Sequence, residues 1–163
     1  MDGNTIINRI KLARPGYSES KSELVSEILG RKGSSKTDFT RFGPIYQVFM
    51  YAFILGFQSD NRIEITGKKV EFFPLGQWQP SDIVDFLLLM IFSKDGLIQY
   101  DWNELEDLEE EEMNRVIRSI VKIFEEYANG GLSILEEKIE NNPEEFQDPF
   151  AFVNILKETT QRT

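Results

Sequence analysis

Residues 42–57 read FGPIYQVFMYAFILGF, which is an almost uninterrupted apolar run. Pro44 suits the first turn of a helix, and Gly56 stands close to where that helix would end. A helix that is apolar on every side is buried in a core. The run therefore predicts a helix at the middle of the fold, with the remaining elements packed around it.

Two other segments have strong helical patterns. Residues 83–92, IVDFLLLMIF, span about half the length that crosses a bilayer and contain Asp85, so they predict a second buried core helix. The acidic run at 103–112 leads into an apolar stripe spaced three or four residues apart, which predicts a long amphipathic helix. Asn129-Gly130-Gly131 predicts its end, with one glycine in the left-handed cap position.

Short helices are also predicted over 21–29, after Gly131 and after Pro149. The alternating runs 62–66 and 69–73, joined by Gly67-Lys68, predict a β-hairpin, and residues 97–100 are the only candidate for a third strand. The predicted fold class is mainly α (α+β), with five to six helices around a core and one small β-hairpin. We expect a single helical domain over 1–163, with 1–19 as a flexible arm and 142–163 as a C-terminal helical extension.

Charge is distributed unevenly along the chain. The 163 residues include 28 acidic and 18 basic side chains, for a net charge of −10. Residues 1–80 hold 11 basic and 8 acidic residues, whereas residues 81–163 hold 7 and 20. The acidic half is expected to repel phosphates, and the basic half can approach an anion or an acidic protein surface. A solvated acidic face is the simpler interpretation of the second half.

The sequence gives little support for a catalytic function. The absence of Cys and His excludes Cys/His zinc sites, disulfides and imidazole or thiol catalysis. Asp85 is the one carboxylate in apolar surroundings, and Asp101, Glu104, Asp107 and Glu111 have a spacing that can gather oxygen ligands without forming an EF-hand loop. We assign no catalytic residue, no metal site and no cofactor. No secretion signal is recognised at the start, so a cytoplasmic location is expected.

A function in binding DNA or a partner protein has more support in the sequence than catalysis. Basic side chains in the first part of the sequence are candidates for DNA contact, with an exposed arm and loop as the alternative interpretation. They are Arg9, Lys11, Arg14, Arg31, Lys32, Lys36 and Arg41. Trp78, Trp102 and Tyr127 are candidate anchors for a partner protein, because Trp and Tyr dominate the energetics of interfaces. Ordinary core packing is the alternative for these three.

A family resemblance rests on two segments. The first is residues 42–57 followed by Arg62, and the second is residues 124–135, FEEYANGGLSIL. Together they resemble the Dnd system-associated protein 4 family, encoded beside prokaryotic DNA phosphorothioation genes, over about residues 9–140. The resemblance adds Arg62, in the family's basic turn, to the candidate DNA contacts. It implies an accessory factor in antiphage defence and brings no catalytic residues.

Three functions are therefore expected, in this order. The first is a non-enzymatic adaptor that docks onto a larger protein of a DNA modification or restriction defence complex and touches DNA through its basic half. The second is an acidic mimic of DNA that inhibits a nucleic-acid-binding protein. The third is a direct DNA-binding module.

Overall fold

The computed structural model describes residues 3–29 and 42–161. Its helices are α1 (Gly3–Leu12), α2 (Ile45–Gln58), α3 (Ile83–Ser93), α4 (Glu110–Asn141) and α5 (Ala151–Gln161). Strands β1 (Gly16–Ser18) and β2 (Lys69–Glu71) form a two-stranded antiparallel sheet. Single 3-10 turns span Glu19–Lys21, Leu75–Gln77, Trp102–Asp107 and Pro143–Gln147, and Leu24–Leu29 is wound as a π-helix. The predicted class, mainly α with one small two-stranded sheet, is confirmed.

The chain divides into two compact units. The first unit comprises Met1–Pro15 and Glu71–Phe124, and the second comprises Gly16–Val70 and Glu125–Thr163. Helix α4 begins in the first unit and continues into the second. The single domain expected from the sequence stays a prediction, because two compact units can belong to one domain.

The first unit is built around α1 and α3. Ile6 and Ile10 of α1 are fully buried, and α1 contacts the turns at Leu75–Gln77 and Trp102–Asp107. The structure therefore has a packed helix where the sequence suggested a flexible arm over 1–19. The reason is the spacing of the two isoleucines, which puts both on one face of the helix and gives that face apolar surface to bury.

The second unit is built on the contact between α2 and the C-terminal half of α4. Helix α4 passes through Asn129-Gly130-Gly131 without a break, so the predicted helix end is wrong. A Cβ atom on Gly131 would lie 1.8 Å from the carbonyl oxygen of Ala52, and one on Gly56 would lie 1.9 Å from that of Tyr127. These glycines are needed because the two helices touch backbone to backbone, and not because the chain turns.

The strand that pairs with β2 also differs from the predicted one. Strand β2 pairs with β1, since the Glu19 amide donates to the Lys68 carbonyl at 2.9 Å and the Phe72 amide donates to that of Pro15 at 3.3 Å. Residues 61–66 are not a strand, and the backbone of 61–64 lies against α4 instead. Residues 97–100 form bends. Gly67 does have the positive φ expected of the turn, at 85°.

The C-terminal residues are helical and pack on α2 through aromatic side chains. The Phe152 ring of α5 lies 5.3 Å from the Tyr51 ring and 4.6 Å from that of Phe42. The Tyr51 hydroxyl donates to the Phe152 carbonyl at 2.6 Å. Burial raises the pKa of Tyr51, and the carboxylates of Glu145 and Glu158 raise this pKa further.

The first test concerns the contact between the two helices. Alanine normally stabilises a helix interior relative to glycine by about 1 kcal/mol. We expect Gly131→Ala to lower the free energy of unfolding by about 3 kcal/mol, because its Cβ overlaps a backbone atom that cannot move alone. Urea unfolding measures the change. Gly43→Ala is the matched control, since its Cβ meets only the flexible Gln47 side chain, and a stabilised Gly131→Ala protein would contradict the contact.

The second test uses the raised pKa of Tyr51. Tyr51→Phe removes one hydrogen bond and should cost about 1 kcal/mol at neutral pH. The folded state favours the protonated phenol, so the wild-type chain should lose stability as the pH rises above the ordinary tyrosine pKa of 10.0. Tyr51→Phe removes the contribution of this phenol to the pH dependence. The difference in free energy of unfolding between the wild-type and variant chains should therefore shrink in alkaline solution. A difference that stays constant from neutral to alkaline pH would contradict this assignment.

Candidate interaction surfaces

Two adjacent carboxylates of α4 are buried and paired. Glu125 accepts hydrogen bonds from the Lys69 ammonium, at 3.0 and 3.1 Å, and from the Gly16 amide at 3.1 Å. Glu126 accepts from the Arg62 guanidinium, which also lies 5.8 Å from the centre of the Tyr127 ring. A buried carboxylate needs such partners, because losing water without gaining a donor is costly. The pair ties the sheet and residue 62 to α4.

The next residues of α4 bind the segment 61–64. The Asn129 side-chain amide donates to the Ile63 carbonyl at 3.2 Å, and the Asn61 amide donates to that of Gly130 at 3.0 Å. A Cβ on Gly130 would lie 1.7 Å from the Asn61 carbonyl oxygen. The segment comes this close because position 130 has no side chain. The EEYANG sequence at 125–130 thus has a structural role within the second unit.

Two of the three expected partner anchors are not exposed. Trp78 is only 1% exposed, and its indole N–H donates to the Phe73 carbonyl at 3.3 Å. Tyr127 is 2% exposed and packs edge-on against Phe57 at 5.2 Å. The expectation that Trp78 and Tyr127 are surface residues is wrong, because both complete aromatic clusters in their cores. Trp102 is half-buried and meets Phe92 edge-on at 5.2 Å.

The candidate DNA contacts that the structure describes are mostly engaged within the protein. Arg9 donates to the Asn114 side chain, and the Lys11 ammonium lies 3.5 Å from Asp85. Arg62 is paired with buried Glu126, whereas Arg14 is exposed. Arg31, Lys32, Lys36 and Arg41 lie outside the described residues.

The first unit has an apolar pocket of about 320 Å³. It is lined by Ile7, Asp85, Leu88, Leu89, Phe92 and Trp102. Phe86 and Leu89 of α3 are 57% and 66% exposed, so α3 is not the wholly buried helix that the sequence predicted. Asp85 marks the exposed side of the helix, and Leu89, one turn later, lies on the same side. That spacing is the signal from which the exposed residues could have been found.

The acidic candidates do not assemble a metal site in the part of the chain that the structure describes. Glu104 caps its own turn, since its carboxylate accepts from the Asp101 amide at 2.7 Å. Glu111 pairs with Arg115 at 2.6 Å. Asp85 lies in the wall of the pocket beside Lys11. These carboxylates are therefore used by local helix ends, an ion pair on α4 and the pocket wall.

The family described as DNA sulphur modification system-associated protein 4 matches residues 14–163. The chain belongs to this family. Membership confirms the resemblance and extends it over the C-terminal helices, and it associates the chain with a DNA sulphur modification system. The family description names no reaction. No curated protein and no solved structure matches the chain. Among the described residues, no helix is long and apolar enough to span a membrane.

The third test asks whether Arg62 has a structural role, as its contact with Glu126 indicates. Arg62→Ala leaves Glu126 buried without its guanidinium, and should cost about 2 kcal/mol, less than a fully buried pair because Arg62 is partly exposed. Arg14→Ala, at an exposed position, should change stability by less than about 0.5 kcal/mol. Thermal unfolding compares the two variants. Equal stabilities would contradict the structural role of Arg62.

Proposed function

We propose that this chain is a non-enzymatic accessory subunit of a DNA phosphorothioation-linked antiphage defence system and acts by docking onto a larger protein of that system in the cytoplasm. Family membership supplies the association with DNA sulphur modification. The observation that carries the docking mechanism is the open pocket beside exposed Phe86 and Leu89. Contiguous exposed apolar surface of this kind marks interaction sites.

The geometry of the carboxylates also favours docking over catalysis. Glu125 and Glu126, the buried acids of the family-like segment, are paired with basic side chains and a backbone amide. A general base needs a carboxylate that can reach a substrate. These two face the interior of the second unit, so their work is to position segments of the fold.

DNA contact is a secondary part of the proposal. It rests on Arg14 and on four basic residues outside the described ranges, Arg31, Lys32, Lys36 and Arg41. Arg9, Lys11 and Arg62 contribute less, because they are engaged by Asn114, Asp85 and Glu126. The net charge of −10 opposes DNA binding by the chain as a whole.

Affinity capture tests the docking function. The tagged chain is recovered from its native cells at low and high salt, with and without nuclease. We expect one protein encoded in the phosphorothioation cluster to remain bound in near-equal amount after nuclease and high salt, and deletion of the gene to weaken defence against phage. Recovery of DNA alone, or of no partner, would contradict the proposal.

A separate experiment tests the DNA contact. Binding of a labelled duplex to the purified chain is measured over a range of salt concentrations. We expect affinity to fall steeply with salt and to be lost in the Arg31→Ala, Lys32→Ala, Lys36→Ala triple variant, because phosphate contacts release counterions. A response that is flat with salt, or unchanged in the triple variant, would remove DNA from the proposal and leave the docking function standing.

A further inference from the structure

The pocket of the first unit has an apolar lining, most of which comes from an acidic segment of the chain. Its lining is aliphatic and aromatic except for Asp85. The segment 82–112, which supplies α3, the Trp102–Asp107 turn and the start of α4, contains eleven acidic residues and one lysine. Asp82, Asp95, Asp101, Glu104 and Asp107 are among its exposed acids. Lys94 is the one cation within this segment, and Lys11 of α1 lies beside Asp85 in the pocket wall.

We propose that this pocket binds a cationic amphipathic segment of the partner protein, whose apolar side chain enters the pocket while its Lys and Arg residues face the surrounding carboxylates. The inference rests on the proposed docking function and names the chemistry of the partner. A pocket of about 320 Å³ accommodates a large apolar side chain such as Leu or Phe. Helices that insert apolar residues into a groove are a common mode of recognition.

Charge complementarity selects this occupant. The Asp85 side chain is about half exposed, and the 3.5 Å contact with the Lys11 ammonium leaves its carboxylate able to accept a further donor. Surrounding carboxylates raise the local concentration of a cationic segment and speed its encounter with the pocket. The apolar contact then provides affinity that salt does not remove.

The same charges disfavour other occupants. Nucleic acid and anionic membranes carry negative charge, which the acids of 82–112 repel. A second copy of the first unit would bring two acidic 82–112 segments together, at a cost. An acidic mimic of DNA would need the carboxylates but not the pocket. The apolar lining therefore favours a cationic amphipathic segment over the DNA-mimic interpretation.

Synthetic peptides test the proposal with the full chain. The probe is an amphipathic helix of Leu and Lys, about five turns long. A Leu/Glu peptide reverses its charge, and a Gln/Lys peptide removes its apolar face. Binding is measured by peptide anisotropy and by tryptophan emission, which reports on the pocket because Trp102 lines it and the chain's other tryptophan, Trp78, is buried.

We expect the Leu/Lys peptide to shift the Trp102 emission to the blue, and the two other peptides to bind at least about tenfold more weakly. Leu89→Gln should weaken Leu/Lys binding by about tenfold. Phe150→Gln is the matched control, because Phe150 is also 66% exposed and belongs to the second unit. Ile7→Gln, at a partly exposed lining residue of α1, repeats the test if Leu89→Gln alters thermal unfolding.

Four results would overturn the proposal. Equal binding by the Leu89 and Phe150 variants would place the contact outside the pocket. Equal binding of the Leu/Glu peptide would show that charge does not select the occupant, and equal binding of the Gln/Lys peptide would show that the acidic surface alone suffices. A native partner that binds the Leu89→Gln chain as tightly as the parent chain would overturn this inference while leaving the docking function intact.

Discussion

The backbone contact between α2 and α4 is the constraint on which the second unit depends. Gly56 on one helix and Gly131 on the other remove the Cβ atoms that would collide with carbonyl oxygens of the opposite helix. Helix axes usually stay about 8–10 Å apart because side chains separate them. Because positions 56 and 131 have no Cβ atom, the helices approach closely, and Tyr127 packs against Phe53 and Phe57. The long α4 is held in place by this crossing.

The other contacts of the family-like segment follow from that placement. Gly130 admits the 61–64 segment, Asn129 binds its carbonyls, and the carboxylates of 125 and 126 pair with Lys69 and Arg62. Buried charges are kept only where such partners exist. Sequence motifs of this kind suggest a catalytic role, yet here the two carboxylates and the amide nitrogen of Asn129 are engaged by basic side chains and the backbone. The surface that we propose for a partner lies in the first unit.

Periodicity predicted α2, α3, α4 and α5, because each has a long apolar pattern that only a helix can bury. Periodicity failed where contacts between residues distant in sequence determine the local structure. The chain pairs β2 with residues 16–18, distant in sequence, because segment 61–64 is bound by Asn129 and Gly130. Glycines at 130 and 131 suggested a helix end, since sequence alone does not tell a cap from a close approach. The pocket was missed because α3 is apolar almost throughout, and Asp85 is the one charged residue that indicates which side is exposed.

Residues 125–131 have a structural role in the second unit, and we propose a docking role for α3. Amide hydrogen exchange on the chain, alone and with its captured partner, tests both roles at once. We expect slow exchange at 125–131 already in the free chain, and new protection over 83–93 when the partner binds. Slow exchange at 125–131 that appears only with the partner, together with no change over 83–93, would contradict both roles.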